Sequence, residues 1–178
     1  MIITVSGQPG AGSTTIASML AKKTKYRLLT VGELHKKIAS KHGMTIEKYW
    51  EFQSKDEKAQ KKFHNELDAL QKKEAKKGNI IINGKLSAFQ IPNAQIKVLL
   101  TASLLERAKR TVKRDGGNII SAAWFIYRRE SMERAEWRKI YSFDYVKDVR
   151  SYNVIINSGN KKPEEIVGII LKQMKKVK

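Results

Sequence analysis

Residues 2–5, 27–31, 80–82, 96–100 and 154–156 are short apolar runs rich in Ile, Val and Leu. They stand between longer stretches in which apolar residues recur every three or four positions. Short runs bounded by Gly, Asn or Pro predict strands, and the longer spacing predicts one-sided helices. The first strand leads through a glycine loop into a helix carrying Ile16, Ala17, Met19 and Leu20. A second helix is predicted over 33–42, with Leu34, Ile38 and Ala39 inward and Gly43 as its stop. Thr45 is positioned to cap a short helix through Tyr49, Trp50 and Phe52. Over 55–77, Ala59, Phe63, Leu67 and Leu70 make a single apolar face in a highly charged segment. Helices over 104–114 and 119–141 follow. The last one opens at Pro163, a residue suited to a first helical turn, and presents Ile166, Ile169, Ile170 and Met174. Strands alternating with helices predict an open parallel α/β sheet of about five strands, flanked by helices.

In such sheets ligands bind beyond the C-terminal strand ends, and the loop after the first strand carries the chemistry. Gly7-Gln8-Pro9-Gly10-Ala11-Gly12-Ser13-Thr14-Thr15 joins strand to helix. Its glycines free the backbone to turn successive N–H groups into one concavity, and the helix start adds unpaired N–H groups of its own. This is the P-loop pattern G-x-x-x-x-G-K-[ST], with Thr14 at the Mg²⁺-binding hydroxyl. Ser13 stands at the lysine position, so the point charge that normally reaches the β- and γ-phosphates is missing from the loop. Gly32 and Asn83-Gly84-Lys85 also follow strand ends and belong to the same predicted cleft.

Composition adds charge to this picture. Thirty-six Lys and Arg stand against 17 Asp and Glu, a net charge of +19 over 178 residues. That length suits one domain. Eight of the nine arginines lie between Arg107 and Arg150, and guanidinium groups suit bidentate phosphate recognition. Arg107, Arg110 and Arg114 are spaced for roughly one helix face. The absence of cysteine excludes disulfides and thiolate metal sites. His35, His42 and His64 have no ligand spacing. No apolar stretch reaches membrane length and no signal peptide is recognisable, so a cytoplasmic protein without membrane contact is expected. Trp124, Phe125, Tyr127 and Trp137 fall on the basic helix 119–141, where packing against a neighbouring helix is favoured over base stacking on RNA. The basic surface sustains a second reading: a P-loop relative of weak or absent activity that contacts RNA or a ribonucleoprotein.

Nearly the whole chain resembles the archaeal-type cytidylate kinases of the nucleoside monophosphate kinase group. The blocks that carry the resemblance are SGQPGAGSTTIA, VGELHKKIASKHGMTIEKY, KGNIIINGKL, LLERAKRTVKRD, RRESMERAEWRKIYSFD and YNVIINS. Some relatives also bear a hydroxyl residue at the position of Ser13. The resemblance implies a P-loop kinase fold with a helical monophosphate-binding region at about 32–77 and an arginine-bearing lid at about 115–142. It implies transfer of the γ-phosphoryl group of ATP, with Mg²⁺, to CMP or dCMP. Residues 7–15 would then bind the donor, with Arg110 and Arg114 near it. Arg129 matches a lid arginine, and Arg134 or Arg138 is the candidate for a second. Arg129, Arg134 and Lys85 are the catalytic candidates that could supply the charge missing at Ser13, with Lys85 also a candidate acceptor contact. Lys36, Asp68 and Gln71 fall at acceptor-binding positions.

The chain departs from the family pattern at several of these places. Asn83-Gly84-Lys85 replaces E-G-R, Lys36 replaces an arginine, and Glu136 replaces a basic residue. His64, Ala69 and Leu70 stand where charged side chains are usual. The departures gather at the acceptor side, while the apolar pattern is kept.

Overall fold

The computed structural model describes residues 1–45, 48, 49, 52 and 56–177. Five parallel strands form one sheet: β1 (Ile2–Gly7), β2 (Arg27–Thr30), β3 (Ile80–Asn83), β4 (Ile96–Thr101) and β5 (Val154–Asn157), in the order β2-β3-β1-β4-β5. Ile3 of β1 lies opposite Ile81 of β3 and Ile96 of β4. The register places the ends of these strands, Gly7, Asn83 and Leu100, along one edge. The helices are α1 (Ser13–Thr24), α2 (Val31–Lys41), α3 (Glu57–Lys76), α4 (Ser87–Gln90), α5 (Leu104–Asp115), α6 (Ile119–Tyr141) and α7 (Pro163–Lys176).

Central strands in a parallel sheet are covered on both faces and read as unbroken apolar runs. One face of the sheet buries Ile3, Val5, Ile81 and Val98 under Ile16 and Leu20 of α1 and Ile166, Val167 and Ile170 of α7. Ile2, Ile80 and Ile82 face the other way, onto Ala75 of α3 and the Ile91–Ala94 turn. Two helix pairs have apolar clusters of their own. Ile38, Ala39, Tyr49, Phe63 and Leu67 join α2 to α3, and Ala108, Ala122 and Ile126 join α5 to α6.

Three details differ from the sequence reading. β2 ends at Thr30, and Val31 and Gly32 begin α2 rather than closing the strand. Gly32 lacks the positive φ that would break the helix. On α3 the buried face runs through His64, Asp68 and Gln71 as well as Phe63 and Leu67, while Leu70 is only half-buried. Trp124, Phe125 and Tyr127 are exposed (59%, 66% and 57%), and only Trp137 of the four aromatics is packed. The reason is that α6 meets α5 through Ala122 and Ile126, which leaves those three rings on other faces. Thr45 Oγ1 accepts from the Lys48 amide at 3.3 Å, as its capping role requires. The rest of the short helix expected around Trp50 lies partly outside the described residues. No helix among the described residues is long and apolar enough to cross a membrane.

Candidate active site

β1, the middle strand, carries the loop to the edge of the sheet. Gly12 caps α1 in the left-handed region (φ 93°) with no side-chain cap bond. The N–H groups of the first turn therefore have no intrahelical acceptor and face outward with the positive end of the helix dipole. A Cβ built on Gly12 would meet nothing within 4 Å, so the space above it is open. The other side of the loop is braced. Gln8 N donates to Leu100 O at 3.2 Å and Ala11 N to Gln8 O at 2.9 Å. Ser13 opens the helix, and Thr14 and Thr15 lie exposed in its first turn.

Thr14 Oγ1 donates to Asn83 Oδ1 at 3.2 Å, and Asn83 Nδ2 donates to Val5 O at 3.0 Å. The second bond orients the amide, so two neutral oxygens stand side by side, one in the first turn of α1 and one at the end of β3. Among the described residues no group of three or more His, Cys, Asp or Glu is placed to hold a metal. This donor set fits Mg²⁺, which takes oxygen ligands, keeps several waters and is held largely by substrate phosphates. Thr14 would contribute its hydroxyl, and Asn83 would orient a bound water. Thr14→Ala is expected to raise the Mg²⁺ concentration for half-maximal ATP-dependent turnover about tenfold, the order for one lost contact. A Mg²⁺ titration at fixed ATP measures it.

The basic residues divide sharply. Arg107 is buried, donating to Ala102 O (3.1 Å), Pro9 O (3.2 Å) and Glu130 Oε2 (2.6 Å). Arg110 reaches Ala11 O at 3.4 Å, Ser158 Oγ at 3.2 Å and Gly159 O at 3.0 Å, tying the loop to the turn after β5. Arg114 is exposed and grips its neighbour Asp115 at 2.6–2.7 Å. Lys85 pairs with Glu133 and lies 5.6 Å from the centre of the Trp137 ring. Burial holds its ammonium below the usual lysine range, and Glu133 opposes that shift. Arg129 pairs with the other oxygen of Glu133 at 2.9 Å. Arg134 clasps the buried Asp144 at 2.8–3.1 Å, with Arg138 3.6 Å from the same carboxylate.

On α3, Asp68 accepts from Tyr141 OH at 2.9 Å, and Gln71 accepts from Ser87 Oγ at 2.8 Å. Burial raises the Asp68 carboxyl above its ordinary range, with the Tyr141 hydrogen bond acting against it. Lys36 is exposed, paired with Glu33 at 3.0 Å. Glu136 accepts from Gln60 at 2.7 Å and lies 3.0 Å from His64 Nε2. His35 packs edge-on against Phe63, and its pKa is lowered to about 4, first by burial and then by the nearby His64. A lowered folded-state pKa means the unfolded chain takes up the proton first as pH falls. His35 therefore leaves stability intact above pH 6.5 and removes up to about 3 kcal/mol as pH drops from about 6.5 to about 4. Denaturant midpoints across this window should decline less in His35→Gln than in wild type.

Glu130 and Glu133, which organise the cations, were not singled out in the sequence. Their spacing with Glu136 along α6, at three-residue steps among arginines, was the available signal.

Residues 2–160 match the model of the cytidylate kinase-like family. The chain belongs to this family. Its membership makes it a nucleoside monophosphate kinase, and relatives agree along its full length. The cytidylate kinase of Archaeoglobus fulgidus is 34% identical over 181 residues, covering 100% of this chain and 98% of the relative. That of Thermococcus kodakarensis is 34% identical over 170 residues, covering 96% and 86%. The shikimate kinase of Bacteroides thetaiotaomicron superposes with a TM-score of 0.65 at 16% identity, over 98% of both chains. That likeness carries the P-loop kinase fold. None of these relatives supports an RNA- or ribonucleoprotein-binding role for the family member.

Proposed function

We propose that this kinase transfers the γ-phosphoryl group of ATP to CMP or dCMP. The observation that carries the reading is an open phosphate loop at the C-terminal end of β1 with the Thr14–Asn83 hydrogen bond beside it, while Lys85, two residues after β3, and Arg129 of α6 share the Glu133 carboxylate. Relatives named as cytidylate kinases along the full chain support the choice of acceptor. In this reading residues 7–15 hold the donor phosphates. The helical pair α2–α3, within about 32–77, forms the acceptor wall through Lys36, Asp68 and Gln71. The segment at about 115–142 is the lid.

An oxygen of the acceptor phosphate attacks the γ-phosphorus, and the bond to the oxygen bridging the β- and γ-phosphates breaks, leaving ADP and a nucleoside diphosphate. Little covalent work falls to the protein, whose task is alignment and neutralisation of charge. Backbone N–H groups of the loop face the donor. Lys85 and Arg129 neutralise charge on the group in transfer, with Arg134 supporting the same helix from Asp144. Mg²⁺, when bound, neutralises phosphate charge beside Thr14. The buried Asp68 and Gln71, both hydrogen-bonding groups, face the acceptor base.

A coupled ADP-release assay with saturating Mg·ATP and CMP, dCMP, UMP or AMP tests the proposal. Turnover with CMP and dCMP well above UMP and AMP is expected. Absence of transfer to all four would overturn it.

A further inference from the structure

Glu130 is buried (7% exposed), and both of its carboxylate oxygens are used. Oε1 accepts from Gln8 Nε2 at 3.1 Å, and Oε2 accepts from Arg107 Nη1 at 2.6 Å. Both partners continue into the phosphate loop. Gln8 belongs to it, and its Oε1 also accepts from the Ala102 amide at 3.3 Å. Arg107 donates to Pro9 O at 3.2 Å, and a Cβ added to Gly10 would fall 2.9 Å from Arg107 Cβ. Residues 8, 9 and 10 thus rest directly on a buried pair whose acidic member comes from the middle of α6. Arg129 is the preceding residue on that helix, and Arg134 Nη1 lies 3.8 Å from Glu130 Oε1.

We propose that Glu130 is a positioning residue for the phosphate loop, acting through Gln8 and Arg107, so that seating of α6 and readiness of the loop to take ATP are one property. With Ser13 in place of the lysine, the loop's grip depends on the aim of its backbone N–H groups. Hydrogen bonds weaken steeply with misalignment, so a relaxed loop loses affinity without losing any ligand-touching side chain. The link also couples donor and lid: ATP bound to a correctly shaped loop holds α6, and with it Arg129, in place.

The inference rests on ATP binding at residues 7–15, as in the reading above, and the test reads ATP binding by calorimetry as well as turnover. Gln8→Met removes the direct Gln8–Glu130 bond while leaving the Glu130–Arg107 pair and its Pro9 contact together, so the fold is kept. ATP affinity is expected to fall about tenfold, the worth of one positioned hydrogen bond, with the KM for CMP within about twofold of wild type. Glu130→Gln should lower ATP affinity at least as much. In the double variant the two effects should fail to add, since both break one linkage. Wild-type ATP affinity in Gln8→Met, fully additive effects, or a Glu130→Gln variant that loses thermal stability with ATP affinity unchanged would each overturn the proposal. A wild type that binds ATP yet transfers nothing removes the kinase reading and leaves this one standing.

Discussion

Gly12→Val eliminates measurable ATP binding in a protein that remains folded. The two left-handed glycines of the loop do different things, and the contrast makes the result diagnostic. At Gly12 an added side chain meets no protein atom within 4 Å, so it projects into the open cradle where a phosphate must approach. The cost to the fold is backbone strain at φ 93°, about 2 kcal/mol for a β-branched side chain. In a domain of this size that lowers Tm by roughly 4–8 °C. At Gly10 an added Cβ lies 2.9 Å from Arg107 Cβ and 3.1 Å from Arg107 O, on top of strain at φ 84°. Gly10→Ala therefore carries strain and overpacking together, about 2–5 kcal/mol, and melts well below Gly12→Val. Calorimetric titration with Mg·ATP and thermal melts of both variants check the pair. Undiminished ATP affinity in folded Gly12→Val would exclude the loop as the donor site.

Lys85→Ala lowers kcat/KM by at least about 30-fold, or about 2 kcal/mol, the scale for losing a positioned charge at the transferring group. The loop has Ser13 where its own cation would stand, and Lys85 follows the neighbouring strand end. Its ammonium is held by Glu133 and Trp137 and shares Glu133 with Arg129. Ser13→Lys alone should change activity only modestly, because the charge is already supplied. In the Lys85→Ala background it should restore part of the loss. The pH dependence adds an independent check. Burial lowers the pKa of Lys85, and transfer needs the charged form. Activity is therefore lost as pH rises through that lowered value, earlier than an ordinary lysine would allow. Lys85→Arg should remove this alkaline limb. Identical kinetics in Lys85→Ala and wild type would make Lys85 a structural partner of Glu133 alone.

The legible parts were those where local chemistry leaves one solution. Three consecutive isoleucines at 80–82 cannot be satisfied at a surface, and they form a strand buried on both faces. Glycines at 10 and 12 announced a loop with positive φ, and the helix start after it needed no further information. The one-sided helix over 55–77 was visible from Phe63 and Leu67. Its polar buried members were not, because His64, Asp68 and Gln71 are inside only by virtue of partners far along the chain. Those partners are Glu136, Tyr141 and Ser87. The aromatics of α6 show the same limit from the other side. Type and spacing favoured packing for Trp124, Phe125 and Tyr127, yet the face a helix buries depends on where its neighbour sits.

The arginines give the sharpest division. From sequence, Arg107, Arg110 and Arg114 shared roughly one face, with Arg110 and Arg114 expected near the donor. In the fold Arg107 is a buried brace, Arg110 a tie to the turn after β5, and Arg114 an exposed local pair. The amino-acid sequence by itself determined the parallel sheet, the phosphate loop at its edge and the concentration of cations after Arg107. These follow from apolar periodicity, glycine conformation and composition, which are local properties. Only the tertiary structure decided which carboxylate each cation meets: Lys85 and Arg129 share Glu133, Arg107 takes Glu130 and Arg134 takes Asp144. Glu130 meets Arg107 and Glu133 meets Lys85 by folding rather than by neighbourhood, and a buried charge is stable only where such a partner meets it.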